Sequence, residues 1–191
     1  MRFVNADLDR TGADVVSASG TLFSNVAAKG VTGYLDVPRG RTQFKLRAPG
    51  GADDLATIGN RELIPGRHYM LVALPRKKGT TSLAILSDWL GLIEPGQTRV
   101  RLINATTDVD DLDLFIAGTT SHVLHGLDVG RTATPSFADM DAGTVEIRTP
   151  SQPAPTLFAK LTVETNRFYT FVVVGSAGAL DLIRIVDSTE P

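Results

Sequence analysis

The sequence predicts an all-β protein of two tandem immunoglobulin-like antiparallel β-sandwich domains that arose by internal duplication. Three observations carry that reading. Blocks of residues recur in the same order about 99 positions apart along the 191-residue chain. Short segments rich in β-forming residues show either period-two alternation or continuous apolar runs. Glycine, proline and Asn/Asp interrupt the chain about every ten residues, the spacing of short antiparallel strands in a sandwich.

The duplication is anchored at both ends of the repeat. Arg2-Phe3-Val4-Asn5-Ala6 recurs as Arg101-Leu102-Ile103-Asn104-Ala105, and Asp14-Val15-Val16 recurs at the same offset of 99 as Asp113-Leu114-Phe115. Pro65-Gly66-Arg67-His68-Tyr69 answers to Thr165-Asn166-Arg167-Phe168-Tyr169, and Leu86-Ser87-Asp88 to Ile185-Val186-Asp187. Between these anchors, residues 34–40 align with residues 137–143 after small changes in loop length. Anchors that keep order and spacing over the whole length argue for two copies of one unit. The first repeat is placed at 1–90, an apolar linker at 91–98 and the second repeat at 99–191.

Within the first copy, Arg41-Thr42-Gln43-Phe44-Lys45-Leu46-Arg47 alternates with period two. Phe44 and Leu46 fall on one face and Arg41, Lys45 and Arg47 on the other, which describes a strand with one wet face. Residues 69–74 and 168–174 are short, apolar and rich in β-formers, as expected of a strand buried on both sides. Turn signals at Gly12, Gly20, Gly30, Pro38-Arg39-Gly40, Pro49-Gly50-Gly51, Pro65-Gly66 and Gly79 imply seven or eight strands per copy. The best helical candidates are short turns near residues 53–57 and 87–92. At the joint, Trp89, Leu90, Leu92 and Ile93 form a greasy segment where the second copy ends in Ser188-Thr189-Glu190-Pro191. Left free, those four side chains would expose a costly apolar patch, so they are expected to form a stiff interdomain contact, with a partner interface as the alternative.

Composition narrows the chemistry. With no cysteine there is no disulfide framework, thiolate nucleophile or Cys-based metal site. The longest uncharged apolar stretches fall short of the roughly 18 residues needed to span a bilayer. Charge is unevenly shared: residues 1–94 hold 12 Lys and Arg against 9 Asp and Glu, whereas residues 95–191 hold 7 against 12. The halves therefore carry about +3 and −5 and could attract one another between copies. The basic residues cluster in Arg39, Arg41, Lys45 and Arg47 and in Arg76-Lys77-Lys78. They have little aromatic interleaving, which does not suit nucleic acid as a partner.

Val100-Arg101-Leu102-Ile103-Asn104-Ala105, followed by an acidic loop and Asp113-Leu114-Phe115, together with Phe23-Ser24-Asn25-Val26-Ala27, resembles a family. This is an uncharacterised bacterial and archaeal domain-of-unknown-function family of tandem β-sandwiches in secreted proteins and lipoproteins. The resemblance covers essentially the whole chain. It implies the fold and a location outside the cytoplasm, and it brings no catalytic residues. Because Arg2 already matches Arg101 and no signal peptide or lipobox precedes it, the chain reads as a processed or trimmed form. A more distant similarity is to the two-domain periplasmic accessory protein of alginate O-acetylation.

Few constellations could carry chemistry. His122 and His125 are three apart, which on a regular strand sends them to opposite faces, and His68 sits where the second copy has Phe168. Asp7, Asp9 and Asp14 in the first copy, and Asp108, Asp110, Asp111 and Asp113 in the second, are hard oxygen donors that suit calcium. The spacing lacks an EF-hand pattern, and Asp14 and Asp113 just before a strand suit turn-stabilising roles. Gly175-Ser176-Ala177-Gly178 is too short for a nucleophile elbow and reads as a hairpin turn. The expectation is a protein that is not an enzyme and has no cofactor: an extracellular, cell-surface or periplasmic structural or adhesive module, assembling head to tail. One alternative is an accessory module for an acidic polysaccharide bound by Arg41, Lys45 and Arg47. The other is a calcium-dependent lectin-like module using the loop from Asp108 to Asp113.

Overall fold

The computed structural model describes residues 1–76, 79–132, 137–149 and 156–189. It divides into two compact units, Met1–Trp89 and Leu90–Pro191. Each is a β-sandwich, and the described residues contain no helix. The first unit contains β1 (Arg2–Asn5), β2 (Gly12–Ser17), β3 (Gly20–Ala27), β4 (Gly40–Arg47), β5 (Asp54–Leu63), β6 (His68–Arg76) and β7 (Thr80–Asp88). Its sheets have the orders β1-β6-β7 and β3-β2-β4-β5.

The second unit repeats this plan and adds two short strands. It contains β8 (Gln97–Thr106), β9 (Leu112–Ile116), β10 (His122–Leu127), β11 (Arg131–Thr132), β12 (Ala138–Asp141), β13 (Gly143–Thr149), β14 (Thr156–Val163), β15 (Arg167–Ser176) and β16 (Ala179–Ser188). One sheet has the order β11-β8-β15-β16, with β12 also paired to β8, and the other has β10-β9-β13-β14.

Among the described residues, pairing in each unit is antiparallel except at one ladder, where the first strand runs parallel to the next-to-last: Phe3 lies opposite Leu71, and Leu102 opposite Phe171. Residue alternation specifies which face of a strand is buried but not the direction of its neighbour, so this pairing was not written in the sequence pattern.

The cores follow the alternation. Phe3, Val15, Phe44, Leu46 and Leu71 pack together in the first unit. Leu102, Leu114, Ile147, Phe171 and Val173 do so in the second. The continuous apolar runs of β6 and β15 are buried along almost their whole length, as expected of strands covered on both faces. The two segments expected as helical turns are otherwise: Asp54 to Thr57 open β5, and Ser87 and Asp88 end β7. Their cross-strand ladders, with Lys45 opposite Thr57 and Tyr69 opposite Ser87, outweigh any local helical preference. Gln97 and Thr98, assigned from sequence to the linker, are the first residues of β8.

Candidate functional site

The residues repeated between the copies bind their own backbone. Asn5 donates through Nδ2 to the Val26 carbonyl at 2.9 Å and accepts from the Asp7 N–H at 3.4 Å. Asn104 occupies the same place more fully, donating to the Val109 and Leu127 carbonyls at 2.6 and 2.7 Å and accepting from the Thr106 N–H at 3.1 Å. Asp14 accepts from the Asn25 N–H at 2.6 Å, and Asp113 from the Gly126 N–H at 2.8 Å. Asn25 and Gly126 both have positive φ, 47° and 66°, so each carboxylate pins a left-handed kink in the neighbouring strand. A third device has no counterpart among the sequence expectations. The Tyr69 hydroxyl accepts from the Ile64 N–H at 3.1 Å, and the Tyr169 hydroxyl accepts from the Glu164 N–H at 3.0 Å. A Tyr early in a strand tying the preceding corner is a sandwich signature, and the repeated Tyr was the available signal.

The acidic loop of the second unit sends its carboxylates to different backbone groups. Asp108 accepts from Ala177 N–H at 2.8 Å, Asp110 from Val129 N–H at 3.1 Å, and Asp113 from Gly126 N–H, while Asp111 adopts φ 60°. Among the described residues, no three His, Asp or Glu side chains gather to hold a metal ion. Asp7 in the first unit is likewise engaged, accepting from Thr81 Oγ1 and from the Asp9 N–H.

His122 and His125 do not point to opposite faces. Their rings meet edge to face with centroids 5.7 Å apart, and His122 also lies 4.2 Å from the Phe115 ring and 3.8 Å from the Asp113 carboxylate. The pairing of β10 with β9 shifts register on both sides of Leu124, and the bulge ending at Gly126 resets the period-two phase.

The basic strip on β4 is largely answered across the strand. Asp54 of β5 accepts from Lys45 Nζ at 2.6 Å and Arg47 Nε at 2.7 Å, and these bonds hold its carboxyl below the ordinary 3.8. Arg41 faces Glu62 at 3.9 Å, with both side chains open to solvent. The equivalent face of the second unit carries the opposite arrangement: Glu146 is held by Arg148 at 2.7 Å and lies 3.6 Å from Lys160. Hydrogen bonding from Arg148 lowers the Glu146 carboxyl below 4.5. Lys77 and Lys78 of the expected basic loop lie outside the described residues. Of the linker side chains, Trp89 is 47% and Leu92 70% exposed, while Leu90 and Ile93 are half-buried. The Trp89 ring lies beneath Arg67 of its own unit, 5.6 Å from guanidinium carbon to centroid.

The first unit carries a cleft of about 190 Å³ between Met1, residues 34–39 and the turn from Leu63 to Tyr69. Its walls are apolar through Leu35, Val37 and Ile64, and its charged groups are Asp36, Arg39, Arg67 and the Met1 ammonium. That ammonium donates to the Leu35 carbonyl at 2.7 Å. Burial pushes it below its ordinary 8.0, against the opposing pull of Asp36 and Asp88.

Two sandwiches built on the same asparagine, aspartate and tyrosine ties define a tandem-domain β protein in which the shared side chains serve the scaffold. The chain belongs to the family described as a domain of unknown function (DUF4397), whose model matches residues 1–115 and again residues 100–191. No functionally curated protein matches it. Among solved structures it is similar to a candidate cell adhesion protein from Bacteroides uniformis, at 9% identity and a TM-score of 0.35, the match covering 100% of this chain and 98% of that one.

Proposed function

We propose that this chain is a non-enzymatic cell-surface or periplasmic module that works by contact, its two sandwiches presenting different surfaces on one scaffold. The observation that carries the reading is what the duplication shares. Asn5 and Asn104, Asp14 and Asp113, and Tyr69 and Tyr169 all bond to backbone within their own unit, so the repeated polar groups hold turns together. The faces of the sheets away from the core carry different charge pairs in the two copies: Lys45, Arg47 and Asp54 on one, and a largely buried Glu146 with Arg148 and Lys160 on the other. The halves carry about +3 and −5, which favours association of the first unit of one molecule with the second unit of the next. Such head-to-tail contact is heterologous and grows into open chains unless its rotation closes.

Light scattering with negative-stain microscopy across a concentration series tests this reading. Mass should rise with concentration in low salt and fall back towards the monomer as ionic strength shortens the screening length to about 3 Å at 1 M. A monomer at every concentration and salt would overturn the assembly part of the proposal.

A further inference from the structure

A second hollow of the first unit, of about 160 Å³, lies between the β2–β3 hairpin and the segment that leads into β4, lined from residues 17–22, 37–44 and Leu63. Its floor is apolar: Phe44 and Leu63 are buried there, and half-buried Leu22 and Val37 pack against the same core. Its rim is polar and carries one sign of charge. Ser17, Ser19 and Thr42 bring hydroxyls, and exposed Arg39 and Arg41 bring two guanidiniums. Among the described residues no carboxylate lines it.

The two arginines belong to the first copy alone. Arg39 aligns with Ala142. Arg47 and Arg148 are equivalent, standing opposite Asp14 and Asp113, yet the first copy is two residues longer between Gly40 and Arg47 than the second is between Gly143 and Arg148. The β4–β5 ladder shifts register in this stretch, between Thr42 and Phe44, and such a bulge re-aims side chains at a sheet rim. Arg39 has no hydrogen-bond or ion-pair partner among the described residues. Arg41 meets Glu62 at 3.9 Å with both side chains open to solvent, a pair worth little in water. The hydroxyls are fixed beside them: Ser17 and Ser19 Oγ lie 2.8 Å apart, and Ser17 Oγ donates to the Gly20 carbonyl at 3.3 Å. Each hydroxyl has two acceptor lone pairs, so acceptor capacity remains at the rim.

We propose that this hollow binds one carboxylate-bearing sugar residue of an acidic glycan, with Arg39 and Arg41 as the residues that recognise its charge. The C–H face of the sugar ring covers the apolar floor, its hydroxyls donate to Ser17 and Ser19, and its carboxylate takes charge-assisted hydrogen bonds from the guanidiniums, Arg41 turning away from Glu62. The volume suits a single ring, since pockets for drug-sized ligands begin at about 300 Å³. Of the strip Arg41, Lys45 and Arg47 first matched to an acidic polysaccharide, Lys45 and Arg47 are held by Asp54, and Arg39 takes their place. The site goes beyond the assembly reading and stands whether or not the molecules associate through opposite charge.

The probe is a trimer of galacturonic acid, titrated into the full chain by nuclear magnetic resonance, with the neutral galactose trimer and a tri-glutamate peptide as controls. Saturable shifts from the acidic sugar alone are expected at the amides of Ser19, Leu22, Thr42 and Leu63, with binding weakened about tenfold or more by Arg39→Gln and by Arg41→Gln. Both side chains are exposed, so neither variant disturbs the core. Ser19→Leu keeps both arginines and intrudes on the hollow, and it should abolish the response. Absence of saturable shifts, equal shifts from the neutral trimer, or a response unmoved by Ser19→Leu or by both arginine changes would overturn the site. An equal response to tri-glutamate would assign the hollow to acidic peptides and overturn the sugar. Light scattering on the same samples reads self-association separately, so failure of one proposal is distinguishable from failure of the other.

Discussion

Asn104 is fully buried and serves three backbone partners through one amide, closing the turn after β8 onto the end of β10. Truncating it removes the side-chain partner of the Leu127 carbonyl and of the Thr106 N–H in a site closed to water, while the Val109 carbonyl keeps the Thr106 hydroxyl at 3.1 Å. Asn104→Ala should therefore cost about 2 to 4 kcal/mol in denaturant unfolding of the second unit. Asn5 makes one good bond and one long one, so Asn5→Ala should cost the first unit less, about 1 to 2 kcal/mol. Equal costs, or a cost below 1 kcal/mol at Asn104, would show that the network is not holding the turn. Both asparagines were legible in the sequence because they recur within a matching block at a constant offset. Their partners were not, because Val26, Val109 and Leu127 are defined only once the strands are folded against one another.

Cross-strand registers decide what the charged strands do. Arg41, Lys45 and Arg47 read correctly as the wet face of a strand, yet Asp54 and Glu62 enter that face from β5 through a ladder interrupted by bulges. A single segment shows its own alternation and conceals the charges opposite it, which is why the strip looked more cationic than it is. The same limit applies to His122 and His125, whose side-by-side geometry depends on a bulge that breaks the assumed period. The Asp54 pairing has a pH signature. Its folded pKa is depressed by the hydrogen bonds from Lys45 and Arg47, so the stabilisation is fully present above about pH 4 and is lost as pH falls through the folded value. Asp54→Asn should remove that part of the acid-side decline, being less stable than the unsubstituted protein at neutral pH and converging with it below the folded value. An unaltered acid profile in the variant would rule the pairing out as its source.

At the scale of the molecule, duplication was the most legible feature, since two copies print the same anchors twice and the family match covers both. Less legible was where the copies are unequal. Gln97 and Thr98 read as the tail of a linker because two polar residues carry no apolar period. They become strand because β12 pairs with them on one side and Asn166 and Arg167 hold them on the other. The resulting account is of one scaffold copied twice, whose repeated side chains tie the turns of both units. Backbone amide exchange at Ile64 and Glu164, the two amides that donate to the repeated tyrosine hydroxyls, tests that most directly. Tyr69→Phe should speed exchange at Ile64, and Tyr169→Phe at Glu164, by about tenfold or more. Unchanged exchange at both amides would mean that the shared tyrosines do not hold the corners, and would contradict the account.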